Sequence, residues 1–95
     1  MLPGIMSKMS DRSLPASTLL TPKTDVVRIT TTTPIVNIQP PFTGSSGILF
    51  LIPIAAFTWT NAGNIAIGGT SQVGRVVVMI YSRITGKWYP SYTGV

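Results

Sequence analysis

The sequence predicts an all-β protein, a small antiparallel β-sandwich or barrel preceded by an extended N-terminal arm. Val, Ile and Thr are abundant, and their β-branched side chains favour extended backbone over helix. Short apolar runs alternate with turn-forming sequences from about residue 26 onward. The first part of the chain carries Pro3, Pro15 and Pro22 and shows neither a helical nor a strand period. We therefore expect an arm over residues 1–24 and a β domain over residues 25–95.

Seven segments of the β domain are candidate strands, because each is rich in β-branched or aromatic residues and lies between turn formers. In chain order they are residues 26–33, 35–38, 48–52, 55–60, 64–67, 75–82 and 87–89. The separating residues, such as Pro34 and the pair Gly68-Gly69, favour turns. Between the last two segments, Ile84-Thr85-Gly86 predicts a hairpin loop with Gly86 in the left-handed conformation.

Two candidate strands are apolar on both faces, Ile48-Leu49-Phe50-Leu51-Ile52 and Val76-Val77-Val78-Met79-Ile80. A surface strand of a small monomer should alternate apolar with polar residues. Either an edge or loop covers the second face of these strands, or identical subunits do. A domain of this size buries only about 60–65% of its extended-chain surface, so we expect subunits and an obligate oligomer. The residues assigned to self-association are Ile48, Phe50, Ile52, Val77, Met79 and Tyr81.

The predicted arm combines basic side chains with irregularly spaced leucines. Such a segment cannot form a core of its own and is suited to lie along a partner and become ordered there. The alternative is a disordered leader. The formal net charge of +5 favours an acidic partner surface. The residues assigned to this attachment are Lys8, Arg12, Leu14, Leu19, Leu20, Lys23 and Arg28.

Composition argues against catalysis. The chain has no His, Cys or Glu, and its two acidic residues are Asp11 and Asp25. General acid–base pairs, activated nucleophiles and metal sites draw on the missing residue types. We therefore expect no enzyme activity, cofactor, metal or small-molecule substrate. The longest apolar run contains Pro53 and is about half the length of a membrane-spanning helix, so we also expect no membrane insertion.

Two binding alternatives come from the aromatic residues. The stretch from Arg83 to Tyr92 mixes basic and aromatic side chains, as single-stranded nucleic-acid sites do. Exposed aromatics could instead stack on sugars, with Trp59, Trp88, Tyr89 and Tyr92 as candidates. The interpretation we favour over both is structural: Trp88 and Tyr89 close the core while Arg83 and Lys87 remain solvated. Nucleic acid is therefore not an expected partner.

About three quarters of the chain, from Val26 onward, resembles small β domains in virion proteins of tailed bacteriophages. The motifs that carry the resemblance are Phe42-Thr43-Gly44, Ile48-Leu49-Phe50-Leu51-Ile52-Pro53, Phe57-Thr58, Gly63-Asn64-Ile65-Ala66 and Thr85-Gly86-Lys87-Trp88-Tyr89-Pro90. The similar proteins include capsid decoration (cement) proteins and terminal pieces of fibre proteins. The resemblance implies a structural virion protein, typically a homotrimer.

Of the two roles that the resemblance implies, a chain of this size favours the cement protein, because a fibre usually has a longer shaft and an anchoring domain. The expected partner is the major capsid protein or another virion protein, and the expected location is the capsid surface after synthesis in the host cytoplasm. The alternative is a tail or head fibre component, or a β domain that binds a receptor or carbohydrate.

Overall fold

The computed structural model describes residues 11–40 and 45–94, and within these ranges the predicted all-β class is confirmed. Nine strands follow one another there: β1 (Asp11–Leu14), β2 (Leu19–Leu20), β3 (Val26–Ile29), β4 (Asn37–Ile38), β5 (Gly47–Pro53), β6 (Thr58–Trp59), β7 (Gly69–Thr70), β8 (Val77–Ser82) and β9 (Lys87–Pro90). Five of them form one large sheet in the order β1-β3-β5-β8-β9. The others form two short sheets, β2-β4 and β6-β7.

The large sheet is mixed, which corrects the expected antiparallel arrangement. β1, β3 and β5 are parallel to one another, whereas β8 and β9 are added in antiparallel pairing. β2 and β4 are also parallel. The chain crosses from the large sheet to the short sheets and back between these strands, so successive strands re-enter each sheet in the same direction. β1 and β9 do not pair with each other in the described sheet, so it does not close into a barrel.

The hydrophobic core lies between the large sheet and the two short ones. Alternate residues of β3, β5 and β8 point into it, since each strand sends successive side chains to opposite faces. The short sheets contribute Leu20, Ile38 and Trp59 to the same cluster. Full burial of an apolar side chain of this size stabilises a fold by about 1.5–3 kcal/mol. The packing of inward residues therefore fixes which face of each large-sheet strand is left outside.

The two short sheets are joined by a parallel bridge between Ile35 and Trp59. The backbone N–H of Ile35 donates to the Thr58 carbonyl over 2.9 Å, and the N–H of Thr60 donates back to the Ile35 carbonyl over 3.0 Å. The bridge makes the short sheets one continuous cover for the core. Because Ile35 lies just before β4, the bridge also places β4 close to β6.

Residues 11–20 contribute strands to both layers of the fold, and an extended arm over residues 1–24 is not confirmed. β1 pairs with β3 and β2 pairs with β4, both in parallel, so residues 11–20 run beside the stretch of chain that contains β3 and β4. Ala16 and Leu20 lie in the core, and Leu14 packs against it. Residues 1–10 lie outside the described part of the chain.

The predicted strand at 64–67 is wrong, because these residues form a loop with a single bridge from Ile65 to Trp88. The Asn64 side chain accepts a hydrogen bond from the Ile38 backbone N–H over 2.8 Å and donates to the Ile38 carbonyl over 2.7 Å. Its own backbone N–H donates to Asn37 Oδ1 over 3.0 Å. A side chain that binds backbone groups in this way replaces a strand ladder with a local loop.

The remaining predicted strands agree with the structure in place but differ in length. Of the predicted strand 26–33, the part up to Ile29 is a strand, and of the predicted strand 55–60, the two residues of β6 are. The strand β7 was not predicted. The predicted hairpin between β8 and β9 is confirmed, with Gly86 at φ 69° in the left-handed region. Its N–H donates to the Ser82 carbonyl over 2.8 Å.

Candidate protein-binding surface

The side of the large sheet that faces away from the core is apolar. We call this surface the outer face. Its residues are Val26, Ile48, Phe50, Ile52, Val78, Ile80 and Tyr89. In β5 they alternate with Leu49 and Leu51, which are in the core, so the outer face follows directly from the two-residue period of the strand.

Strand register brings the outer-face residues into rows. Ile48 lies beside Ile80, and Ile80 lies beside Tyr89 across the next pair of strands. In the adjacent row, Phe50 has Val26 on one side and Val78 on the other. Side chains in such rows touch across the strands and form one continuous apolar surface.

The outer face remains accessible in the single chain. Ile48, Ile80 and Tyr89 are 51%, 50% and 39% exposed, whereas Val77 and Met79 on the opposite side of β8 are fully buried. An antiparallel sheet with one solvated face normally places polar residues on it. Contiguous apolar surface of this kind marks an interaction site more often than a solvated surface.

Two basic residues border the outer face at opposite corners. Arg28 lies beside Ile52 at one end, and its Nε donates to Ser13 Oγ over 3.1 Å. Lys87 lies beside Ser82 at the other end, in the last strand of the sheet. Both side chains are exposed. The surface therefore has an apolar centre and a margin with positive charge.

The six residues assigned to self-association from the sequence are divided between the two faces of the sheet. Ile48, Phe50 and Ile52 lie on the outer face. Val77 and Met79 are fully buried in the chain's own core. Tyr81 is partly buried and packs on Trp88, with 5.2 Å between the ring centroids. The structure thus brings the three β5 residues together with residues of β8 and β9 that the sequence analysis did not assign.

The residues assigned to attachment are spread over the molecule rather than gathered on one arm. Leu20 is in the core, Leu14 packs against the core, and Leu19 is 52% exposed. The side chains of Arg12, Lys23 and Arg28 are exposed, and Lys8 lies outside the described residues. These three described cations stand on or beside β1 and β3, along one side of the large sheet.

The candidate sugar-stacking residues do not form an exposed platform. Trp59 and Trp88 are buried in the core. Tyr92 is partly buried against Trp59, at 6.3 Å between ring centroids, and its hydroxyl donates to the Arg75 carbonyl over 2.7 Å. Tyr89 is exposed on the outer face, so of the pair expected to close the core, Trp88 alone does so.

A recess of about 320 Å³ lies beside the turn that precedes β3. Lys23, Asp25 and Gln39 supply polar groups to its wall, and Trp88 is another lining residue. The indole N–H of Trp88 is already donated to the Ile38 carbonyl over 2.9 Å. Among the described lining residues, one ammonium and one carboxylate do not make a nucleophile–base pair.

Within residues 11–40 and 45–94, no group of three or more His, Cys, Asp or Glu residues is placed to hold a metal ion. The same part of the chain contains no helix that is long and apolar enough to cross a membrane. In comparisons with protein-family models, curated proteins and solved structures, no match to this chain was found. The outer face is therefore the strongest candidate site, argued from the chain's own residues.

Proposed function

We propose that this protein is a structural protein that acts by binding other protein surfaces, without catalysis, and that it is a capsid decoration (cement) protein of a bacteriophage virion. The observation that carries the proposal is the outer face, an apolar sheet surface that a single chain leaves in water. Removing such a surface from water contributes about 25 cal/mol for each Å² of apolar area. The virion assignment is supported by the sequence resemblance to small phage β domains.

In the proposed mechanism, the body self-associates as a trimer and basic residues attach the trimer to the major capsid protein. The formal net charge of +5 would direct the trimer to an acidic capsid exterior. The exposed side chains of Arg12 and Lys23 are the described candidates for this contact. By clamping neighbouring capsid subunits, the protein would resist the internal pressure of packaged DNA.

The test is binding to undecorated phage heads. Purified protein is incubated with the heads, occupancy is imaged by electron microscopy, and the heat resistance of decorated and bare heads is compared. We expect ordered occupancy, raised heat resistance and weaker binding as salt increases, because attachment depends on charge. A Lys23→Glu variant should bind more weakly, while Arg83→Glu, at the tip of the β8–β9 hairpin, is the matched charge control.

Failure of the protein to bind heads at low salt would refute the cement role. Binding only to tail or fibre preparations would assign it instead to the fibre alternative. Equal losses in Lys23→Glu and Arg83→Glu would show that net charge, and not a defined surface, controls attachment.

A further inference from the structure

We infer that the outer face is the surface on which copies of this chain pack against one another, each copy covering the outer face of its neighbours. The inference rests on the proposed function and deepens it, because it assigns self-association to one side of one sheet. In β8 it assigns the contact to Val78 and Ile80. Val77 and Met79, which were assigned to self-association from the sequence, are buried in the core.

The outward side chains of the two central strands are apolar. β5 and β8 are the central strands of the outer face, and each sends apolar residues to both sides of the sheet. The inward residues are buried in the core. The outward residues have no equivalent cover within the described chain, and their apolar character makes water a poor solvent for them.

The apolar part of the outer face is the size of an interface centre. With about 4.8 Å between strands and about 6.7 Å between alternate residues of a strand, its seven residues span on the order of 220 Å² of sheet. A stable interface buries roughly 800 Å² on each partner, with an apolar centre and a polar margin. The apolar residues supply about a quarter of that area, and the margin that holds Arg28 and Lys87 surrounds them. The outer face therefore supplies the apolar centre of such an interface, and the surrounding residues supply its margin.

A second copy of this chain fits the outer face as a partner. The outer face is a sheet surface, and sheet surfaces pack on other sheet surfaces at a separation of about 10 Å. Each copy of the chain carries the outer face, so every solution of the protein contains a second apolar sheet surface for each one. Symmetric contacts of this kind, around a two-fold or three-fold axis, are the commonest form of protein assembly.

The charge distribution permits this contact. Arg28 and Lys87 occupy diagonally opposite corners of the face, so copies related by an axis parallel to the strands place each cation over a different corner. The formal net charge of +5 still repels copies at a distance. Salt screens that repulsion, so association through the outer face should hold or strengthen as salt rises. An acidic partner on this face would show the opposite dependence.

The test compares two isoleucine substitutions in the full chain. Ile80→Lys places a charge in the centre of the outer face, and Ile84→Lys places it on the hairpin tip, where Ile84 is 77% exposed. Mass is measured by sedimentation and light scattering over a range of micromolar concentrations, at low and high salt. Circular dichroism and thermal unfolding establish that both variants are folded.

We expect the wild-type protein and Ile84→Lys to form the same oligomer, with association unchanged or tighter in high salt. Ile80→Lys should dissociate to folded monomers, or associate at least about tenfold more weakly, which corresponds to about 1.4 kcal/mol. If Ile80→Lys does not fold, Ile48→Thr provides the second variant on the same row. A wild-type monomer throughout the range would overturn the inference, as would full association of both outer-face variants.

The failure of this inference can be distinguished from the failure of the proposed function. A monomer that still decorates heads would leave the cement role intact and would assign the outer face to the capsid. An oligomer that dissociates in Ile80→Lys but does not bind heads would support the inference and refute the cement role.

Discussion

The two tryptophans, Trp59 and Trp88, are both buried in the core but differ in what their indole N–H groups contact. The N–H of Trp88 donates to the Ile38 carbonyl over 2.9 Å. The N–H of Trp59 is buried and has no hydrogen-bond partner in the described structure. A buried donor without a partner loses its hydration without compensation, which costs about 1–3 kcal/mol.

This difference predicts unequal effects of replacing each tryptophan with phenylalanine. Both substitutions remove similar volume from the core, but Trp59→Phe also removes the unpaired donor, whereas Trp88→Phe removes a hydrogen bond. We expect Trp88→Phe to be more destabilising by about 2 kcal/mol. Urea unfolding followed by circular dichroism, at one fixed protein concentration, measures both free energies. Equal losses would contradict the assigned difference between the two indole N–H groups.

At the same scale, the register of the β8–β9 hairpin could not be derived from the sequence. The predicted loop Ile84-Thr85-Gly86 would place Arg83 opposite Lys87, whereas the structure places Ser82 opposite Lys87 and Tyr81 opposite Trp88. Because Lys87 must face water, Trp88 and Tyr81 must face the core. Two-residue alternation then sends Met79 inward and Ile80 outward. Composition alone could not decide this, since β8 is apolar on both faces.

At the scale of the element, the segment Asp11–Leu14 forms a strand that the sequence pattern did not predict. Its residues do not alternate, and the partner of β1 lies 15 positions later in the chain, at Val26. Local pattern carries no information about such a parallel pairing, which depends on the crossing between layers. The two-residue strands β2, β4, β6 and β7 are likewise defined by distant partners and not by their own propensity.

A pair of adjacent leucines tests whether this segment is part of the fold. Leu20 is 1% exposed and Leu19 is 52% exposed, although both belong to β2. We expect Leu20→Ala to lower the free energy of unfolding by about 2–5 kcal/mol, because it leaves a cavity in the core. Leu19→Ala should change it by less than about 0.5 kcal/mol. Denaturant unfolding of the two variants is the measurement, and equally small effects would support the extended arm expected from the sequence.

At the scale of the whole molecule, the described strands use one apolar face for the core and leave a second one outside. The sequence already indicated this excess, because two runs were apolar at every position. It could not indicate which residues share the outer face, since that depends on the register of β5 with β8 and of β8 with β9. The proposed assembly follows from the register more than from the composition.

Assembly through the outer face predicts a thermal stability that depends on protein concentration. A chain of 95 residues has a small core, and binding that is specific to the folded state stabilises that state by mass action. We expect the unfolding temperature of the wild-type protein to rise by several degrees when the concentration is raised about a hundredfold, since that change is worth about 2.7 kcal/mol for each binding step. Ile80→Lys should unfold at a lower temperature that does not vary with concentration, whereas Ile84→Lys should behave as the wild type. Calorimetry at matched concentrations makes the comparison. If the unfolding temperature of the wild-type protein is constant over the whole range, the outer face contributes nothing to stability through assembly.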